Sequence, residues 1–234
     1  MLNRIITLDE VDSTNNYLKL NRGELPDGTL VTARIQTAGK GRRGHEWLAD
    51  QGMLPLSLLL KQPPHPDTLT LCAGVAVCEA LEPLLPGEEL GIKWPNDIIL
   101  HGHKLCGILC ESVCFGSSMD IVCGIGVNLA QTAEFFEKAN IPHGGSVEML
   151  TGVTINDRDK LAEDIAERLY SYSRSGFESV REKYVKRCLT VGKKIRIIEN
   201  GSEREAFAEG IAPNGFLVCS DENGRFEVKS GGAR

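Results

Sequence analysis

The chain has 234 residues, of which 41% are hydrophobic and 25% are charged, and its formal net charge is −6. This size and composition fit a soluble globular protein with one sizeable core and a small second unit, and the negative charge disfavours a general nucleic-acid-binding surface. The N-terminus has no apolar signal-peptide region, and no apolar run reaches the about 18 residues that a membrane helix needs, so we expect a cytoplasmic protein without a membrane anchor.

Eight cysteines raise the question of disulfides or a metal site, but none of them form a Cys-x-x-Cys pair and the chain is too long to need disulfide cross-links. Cys106, Cys110 and Cys114 recur at four-residue steps in a stretch whose apolar content favours a strand. Four residues of a strand span about 13 Å, too far for two thiolates to share one zinc ion. We therefore expect each cysteine to be a small buried side chain.

The first polar cluster of the chain follows a short predicted strand at residues 5–7. Asp12 and Ser13 are residue types that cap helix N-termini, so the cluster is predicted to open a helix whose first N–H groups are free. The side chains of Ser13, Thr14 and Asn15 are then either a simple cap or a set of hydrogen-bonding groups for a polar ligand.

The most unusual stretch is the loop Gln36–Trp47, which follows a predicted strand at residues 30–35. Three glycines and three permanent cations fall within six residues of it: Gly39, Lys40, Gly41, Arg42, Arg43 and Gly44. Glycine lets backbone N–H groups approach a ligand, and arginine binds carboxylate or phosphate through two hydrogen bonds. The loop therefore indicates an anion receptor, with a solvated basic loop as the alternative.

Two common phosphate-binding motifs are excluded. Residues 39–46 have the glycine spacing of a P-loop but lack its Lys and Ser/Thr at the last two positions. The pair Gly124 and Gly126 would need a third glycine at position 129 to match a dinucleotide-binding fingerprint, and Leu129 stands there instead.

Further along the chain, a buried strand is predicted at residues 54–60 and a helix at residues 68–84. Residues 98–100 form a predicted strand, and a glycine turn leads into a return strand that begins at Lys104. This hairpin is expected to bring Asp97 and Lys104 to comparable heights on paired strands.

The last part of the chain combines a strand, two helices and an all-β tail. The strand is predicted at residues 119–127, and amphipathic helices are predicted at residues 157–172 and 177–188. From Leu189 onward three Asn-Gly pairs separate short apolar runs, which predicts a β-meander closed into a small barrel. Seven basic and seven acidic residues leave this tail without net charge, a poor basis for nucleic-acid binding. The expected domains are 1–188 and 189–234, the second docked on the first.

Five motifs together resemble the biotin–protein ligase family, also called biotin–[carboxylase] ligase or holocarboxylase synthetase. They are Ser13-Thr14-Asn15, Gln36 with Gly39–Gly44 and Trp47, Lys93–Asp97, Lys104–Gly107 and Gly124–Asn128. They occur in the family's order and spacing over nearly the whole chain.

The resemblance implies an α+β fold of the class II synthetase type, with a mixed central β-sheet flanked by helices and a small C-terminal SH3-like barrel. The helix-turn-helix domain of some members has no room before the strand that begins at Ile5, so the resemblance is to the monofunctional type.

The resemblance also implies a two-step reaction. Biotin and ATP, with Mg²⁺, form biotinyl-5′-AMP, and a lysine of a biotin carboxyl carrier domain then attacks this acyl-adenylate. The expected partners are biotin, ATP and the carrier domain, with no DNA and no membrane, and the protein is expected to be a monomer or a homodimer. The carboxylate of biotin and the phosphates of ATP repel each other, and the positive charges of the cationic loop can offset this repulsion. The loop is expected to close over both reactants.

Site residues follow from the same resemblance. The expected biotin-binding residues are Ser13, Thr14, Asn15, Gln36, Lys40, Gly41, Arg42, Lys104 and Gly107. The expected nucleotide-binding residues are Arg42, Arg43, Trp47, Lys93, Asn96 and Asn128, with the adenine held by Trp47 and Asn128. The expected catalytic residues are Lys104, Arg42 and Asp97. The sequence identifies no Mg²⁺ ligand, and phosphate oxygens and water can supply most of them.

One departure from the family pattern concerns Lys40, which replaces the first arginine of the usual Gly-Arg-Gly-Arg-Arg-Gly loop. Lysine keeps the positive charge but loses the bidentate fork, so we expect weaker retention of the adenylate and unimpaired catalysis.

Three other functions compete with this interpretation. A lipoate or octanoate attachment enzyme would share the fold, but the Arg42-Arg43 pair and the Lys93–Asp97 box favour biotin. A non-catalytic nucleic-acid module is disfavoured by the acidic total charge and the neutral tail. A ligase with a covalent lysyl-AMP intermediate is disfavoured because Lys93 and Lys104 lack a Lys-x-Asp-Gly setting.

Overall fold

A seven-stranded mixed sheet, built from the apolar runs of the first half of the chain, forms the larger part of the protein. The structure is a computed structural model that describes residues 1–44, 46–48, 50–116, 118–199, 202–229 and 232–233. The strands are β1 (Arg4–Val11), β2 (Thr29–Gln36), β3 (Met53–Leu60), β4 (Gly91–Lys93), β5 (Asp97–Leu100), β6 (His103–Phe115) and β7 (Ser118–Asn128). They lie in the order β1-β2-β3-β7-β6-β5-β4, in which β1 and β2 are parallel and the other neighbours antiparallel.

Helices cover both faces of this sheet. They are α1 (Thr14–Asn21), α2 (Leu69–Leu81), α3 (Ala133–Lys138), α4 (Val147–Thr151), α5 (Arg158–Ser175) and α6 (Arg181–Arg187). Helix α2 is apolar on nearly all sides because it lies between the sheet and α5. Helix α1 packs on the opposite face, where Leu18 joins Val31, Leu59 and Val122 in a separate small core.

Strand β3 lies near the centre of the sheet and every one of its residues is buried. Alternate side chains enter the two cores, with Leu58 on the α2 side and Leu59 on the α1 side. Ser57 interrupts this leucine-rich strand and its side chain is fully buried. Burial of a hydroxyl is unfavourable unless it is hydrogen-bonded, so Ser57 must have polar partners.

The C-terminal segment forms a second, wholly antiparallel sheet. Its strands are β8 (Lys194–Glu199), β9 (Ser202–Ile211), β10 (Leu217–Asp221), β11 (Gly224–Val228) and β12 (Gly232–Ala233), in the order β11-β10-β9-β8-β12. Over the residues that the structure describes, this is an open sheet and its edge strands are not joined into a closed barrel. Trp94 links the two sheets, because its indole N–H donates to the Gly215 carbonyl at 3.1 Å and its backbone N–H to the Thr190 hydroxyl at 3.0 Å.

The predicted fold class, with a mixed sheet, flanking helices and a separate C-terminal sheet, is confirmed. The helix predicted to reach Leu84 ends at Leu81 and continues as one 3₁₀ turn at Glu82–Leu84, where Pro83 cannot supply a helical N–H. The domain boundary at residues 188 and 189 stays a prediction. No helix among the described residues is both long and apolar enough to cross a membrane.

All eight cysteines are free thiols. The three at four-residue steps lie on strand β6, as predicted, and no cluster of three metal-binding side chains occurs within the described ranges. Cys110 and Cys188 are only partly buried, and the expectation that every cysteine is buried is plainly wrong for Cys114, which is exposed. It lies where β6 and β7 continue as a two-stranded hairpin past the end of β5.

A charged network ties together the helices behind the sheet. The Glu79 carboxylate of α2 lies 2.8 Å from Lys183 Nζ of α6 and accepts a hydrogen bond from the Tyr172 hydroxyl of α5. Burial alone would raise the pKa of Glu79, but the hydrogen bonds from Lys183 and Tyr172 and the charges of Lys183 and Arg168 hold it below its usual value of 4.5. The ionised carboxylate therefore stabilises the folded state.

We expect Glu79→Gln to lower the free energy of unfolding by about 1–3 kcal/mol near neutral pH. A carboxyl group with a lowered folded-state pKa stabilises above its unfolded-state pKa and loses this contribution as the pH falls through the folded-state value. The difference between variant and wild type should thus shrink at pH values below 4.5. Urea titrations at a series of pH values measure it, and a difference that does not change with pH would contradict the assignment.

Candidate active site

A recess of about 500 Å³, including space open to solvent, lies on the α1 side of the sheet. Its walls come from the start of α1, the loop after β2, and strands β3, β6 and β7. Eleven residues singled out from the sequence line it: Ser13, Thr14, Asn15, Gln36, Lys40, Gly41, Arg42, Trp47, Asn96, Lys104 and Gly107. Ser13 and Gly107, which lie 94 positions apart in the chain, both line this recess. The sheet therefore brings distant parts of the sequence together.

Glycines form the floor of the recess on strands β6 and β7. A Cβ atom at Gly124 would lie 2.2 Å from Asn15 Oδ1, and one at Gly126 would lie 2.6 Å from Trp47 Nε1. A Cβ atom at Gly107 would meet the same indole ring, 2.6 Å from Cζ3. Such contacts are far shorter than van der Waals distances. The site therefore needs glycine at these positions, so that Asn15 and Trp47 can lie directly on the sheet.

The polar end of the recess is built at the junction of α1 and β2. Ser13 is the N-cap residue of α1, with an extended backbone, but its side chain makes no capping hydrogen bond. The Thr14 N–H donates to Gln36 Oε1 at 3.0 Å, which fixes the orientation of that amide. Asn15 and Thr14 are both almost fully buried. Their hydrogen-bonding groups are thus held in place before any ligand binds.

The opposite end of the recess carries the positive charges. Lys104 Nζ lies 2.7 Å from Asp97 Oδ1 and 5.2 Å from the centre of the Trp47 ring. In the β5–β6 ladder Lys104 pairs with Ile99 and a register shift follows Ile98, so the backbones of Asp97 and Lys104 are offset by two residues along β5. The prediction of comparable heights on paired strands is therefore wrong by this offset, which the long lysine side chain spans.

The cationic loop folds back on itself at its base. The Trp47 N–H donates to the Gly39 carbonyl at 3.0 Å, and Lys40 and Glu46 form an isolated antiparallel bridge. Between them residues 42–44 form one 3₁₀ turn. Arg42 Nη1 donates to Asn96 Oδ1 at 2.8 Å, which connects this turn to the segment before β5.

Three predicted site residues with described side chains do not line the recess. Asp97 contacts Lys104, which lines the recess, and Lys93 lies on the edge strand β4. The Asn128 amide is buried and donates to the carbonyl groups of Gly145 and Lys104, so it holds the backbone of β6 in place. The Arg43 side chain falls outside the described part of the chain. The ligand contacts of these residues, and of the eleven that line the recess, stay predictions.

Three polar residues behind the recess were not predicted from the sequence. The Ser57 hydroxyl lies 2.7 Å from Thr14 Oγ1 and 2.6 Å from Asn15 Oδ1, and the Glu111 carboxylate accepts from Asn15 and from Lys19. A single serine within a run of leucines was the sign that could have drawn attention to Ser57. Glu111 and Lys19 lie 92 positions apart and gave no such sign.

The recess thus joins a pre-formed polar end to a cationic end, an arrangement suited to a ligand with a polar head group and an anionic tail. The chain belongs to the biotin/lipoate A/B protein ligase family, because the sequence model of that family matches residues 8–128, which carry most of the recess.

Individual members of the family resemble nearly the whole chain. A biotin–[acetyl-CoA-carboxylase] ligase of Paracoccus denitrificans is 35% identical over 231 residues, which covers 93% of this chain and 95% of the relative. A ligase of the same name from Mycobacterium tuberculosis is 33% identical over 217 residues, 88% of this chain and 78% of the relative. Among solved structures, the biotin protein ligase of Aquifex aeolicus in complex with biotin and ATP superposes with a TM-score of 0.82 at 28% identity, over 100% of this chain and 98% of that one.

Proposed function

We propose that this protein is an ATP-dependent biotin–protein ligase that forms biotinyl-5′-AMP and transfers the biotinyl group to a lysine of a biotin carboxyl carrier domain. The observation that carries the proposal is the meeting of eleven sequence-predicted residues in one recess, with hydrogen-bonding groups at one end and Lys104 and Arg42 at the other. The similarity to named biotin ligases over most of the chain supports the same activity.

In the first step the biotin carboxylate attacks the α-phosphorus of ATP. The new bond joins carboxylate oxygen to phosphorus, the bond to the bridging oxygen breaks, and pyrophosphate leaves. Both reactants are anionic, so positive side chains must offset their repulsion. Lys104 is held above the glycine floor by Asp97, and Arg42 is held by Asn96, so both cations are oriented in advance.

In the second step the ε-amine of the acceptor lysine attacks the acyl carbon, AMP leaves with the bonding electrons, and the amine loses a proton. Asp97 is the carboxylate next to the recess and is a suitable acceptor for that proton once Lys104 turns to the phosphate. The ion pair at 2.7 Å then serves both steps, because it orients Lys104 for the first step and Asp97 becomes available for the second when Lys104 turns to the phosphate.

Mg²⁺ accompanies ATP in the proposed reaction, but the described residues contain no group of three or more carboxylate, histidine or cysteine side chains that could hold a metal ion. The donor set therefore fits a Mg²⁺ that is bound mainly by phosphate oxygens and water and that screens the phosphate charge. A reducing, cytoplasmic location is part of the proposal and is supported by the eight free cysteines.

The proposal is tested by ATP–pyrophosphate exchange with biotin, lipoate and octanoate as alternative acids. We expect exchange with biotin and none above background with the other two. Exchange with lipoate or octanoate alone would instead identify the protein as a lipoate or octanoate attachment enzyme of the same family. Tight, salt-sensitive nucleic-acid binding without any acid-dependent exchange would replace the enzyme by a binding module.

Lys40 provides a separate prediction about the intermediate. Its Nζ donates to Asn16 Oδ1 at 3.1 Å, so it is tied to α1 by one hydrogen bond and not by a two-pronged contact. We expect Lys40→Arg to slow the release of biotinyl-5′-AMP by several-fold, because arginine can bind a phosphate through two donors, without a change in the exchange rate. The release rate of labelled intermediate measures this, and equal rates in both proteins would contradict it.

A further inference from the structure

A chain of hydrogen bonds runs behind the polar end of the recess and ends at an ion pair outside it. Thr14 Oγ1 lies 2.7 Å from Ser57 Oγ, which lies 2.6 Å from Asn15 Oδ1. The Asn15 amide nitrogen lies 2.8 Å from Glu111 Oε2, and Lys19 Nζ lies 2.7 Å from Glu111 Oε1. Of these five residues only Thr14 and Asn15 line the recess.

The orientation of the Asn15 amide follows from its neighbours. Its nitrogen faces the Glu111 carboxylate and, at 3.3 Å, the Leu109 carbonyl. Both of these groups can only accept hydrogen bonds, so the NH₂ group must face them and both of its hydrogens are used. The Asn15 oxygen is therefore turned towards Ser57 and acts as an acceptor.

This orientation of Asn15 determines where the hydroxyl proton of Ser57 points, and that in turn determines where the hydroxyl proton of Thr14 points. The Asn15 oxygen cannot donate, so the short contact with Ser57 requires the single proton of the Ser57 hydroxyl. Ser57 has no second proton, and its 2.7 Å contact with Thr14 requires the proton of Thr14. Thr14 Oγ1 also lies 3.3 Å from Gln36 Oε1, but this contact is longer than the one with Ser57, and Gln36 Oε1 already accepts from the Thr14 N–H at 3.0 Å. Thr14 Oγ1 is left with lone pairs only, and these are available to a ligand in the recess.

We infer that Glu111, held by Lys19, is a positioning residue that makes Thr14 Oγ1 a fixed acceptor and so selects ligands whose head group donates N–H hydrogen bonds, such as a cyclic urea. This inference rests on the proposed function, because biotin carries a cyclic urea whereas lipoate and octanoate carry no N–H group. A ligand with an oxygen at that point would face two lone pairs and leave Thr14 unpaired.

The charge of Glu111 is needed for this role. Its side chain is only 27% exposed, and burial would raise its pKa, but the hydrogen bonds from Lys19 and Asn15 and the charges of Lys19 and Lys40 lower the pKa instead. A glutamine at this position must turn its NH₂ group towards either Lys19 or Asn15, both of which are donors. If the NH₂ group faces Asn15, the Asn15 amide loses the acceptor that sets its orientation; if it faces Lys19, the ion pair that holds the side chain at 2.7 Å is lost.

The test compares biotin with two cyclic carbamate analogues, in each of which one ring N–H is replaced by oxygen. Wild-type protein should bind one of the two analogues about 10- to 100-fold more weakly than biotin. In Glu111→Gln this preference should fall to within about threefold, and the KM for biotin should rise while the KM for ATP and kcat stay unchanged. Ser57→Ala, which frees the Thr14 proton, should lose the same preference.

Glu82→Gln is the matched control, because it removes a comparably buried ion pair with Arg187 that lies away from the recess. It should change neither the preference nor the KM for biotin. The inference is overturned if Glu111→Gln remains active and keeps the full preference for the urea, or if it loses affinity for all three ligands by the same factor. Absence of biotin-dependent exchange in the wild-type protein would overturn the proposed function and this inference together.

Discussion

Replacement of Lys104 by alanine should lower biotin-dependent ATP–pyrophosphate exchange about 10²- to 10³-fold. The reason is electrostatic, because a pre-oriented positive group next to the developing charge of a transition state contributes about 3–4 kcal/mol. Lys104 lies in the recess, held by Asp97 and stacked near Trp47, so it needs little reorganisation to reach a phosphate. Single-turnover measurements with saturating biotin and ATP report the chemical step directly.

The control for this variant is Lys138→Ala, which removes an exposed lysine of α3 that pairs with Glu134. It should leave the exchange rate unchanged. The free energy of unfolding of both variants should stay within about 1 kcal/mol of the wild-type value, since exposed or half-exposed ion pairs contribute little to stability. Normal exchange in Lys104→Ala would remove the residue from its assigned role.

Replacement of Arg42 by alanine should have a second large effect, a loss of about 10²-fold in the rate of adenylate formation. The guanidinium group is positioned by Asn96, and its fork can bind a carboxylate and a phosphate at once. Its loss should also speed the escape of biotinyl-5′-AMP into solvent. The rate of intermediate formation and the fraction released are both measurable by quenched-flow experiments with labelled biotin.

Arg42→Lys separates charge from geometry, since it keeps the positive charge but not the fork. We expect it to recover part of the rate and little of the retention of the intermediate. Arg34→Ala, which removes an exposed arginine of β2 paired with Asp9, serves as the control of equal charge change. Equal activity of Arg42→Ala and Arg34→Ala would contradict the assignment.

Much of the recess could be predicted from the sequence because its residues belong to short local patterns. The polar cluster at residues 12–16, the glycine-rich cationic loop and the hairpin after Asp97 each show their chemistry within a few residues. Their assembly could be expected only through the family resemblance. The structure adds the reason, because β2, β6 and β7 carry these patterns to one face of the sheet.

The remaining features depend on strand register, which no local pattern reveals. Gly107 and Gly126 are directly paired across β6 and β7, and only this pairing places both under Trp47. Glu111 and Asn15 meet because α1 packs over β3 and β7, and β6 is the next strand in the sheet. The short helices α3 and α4 were also not predicted, since five or six residues contain too few turns for a helical period to be recognised.

The link through Trp94 bears on how the protein can be divided. Trp94 is only 3% exposed, and its indole N–H donates to the carbonyl of Gly215 in the turn between β9 and β10; Asn96 and Asp97 follow it in the chain. Shortening the protein at residue 188 would leave this large ring facing water and would untie the segment that orients Arg42 and Lys104. The C-terminal segment therefore helps to position the residues of the recess. A fragment that ends before it should be inactive because Arg42 and Lys104 are no longer aligned, even though both residues are present.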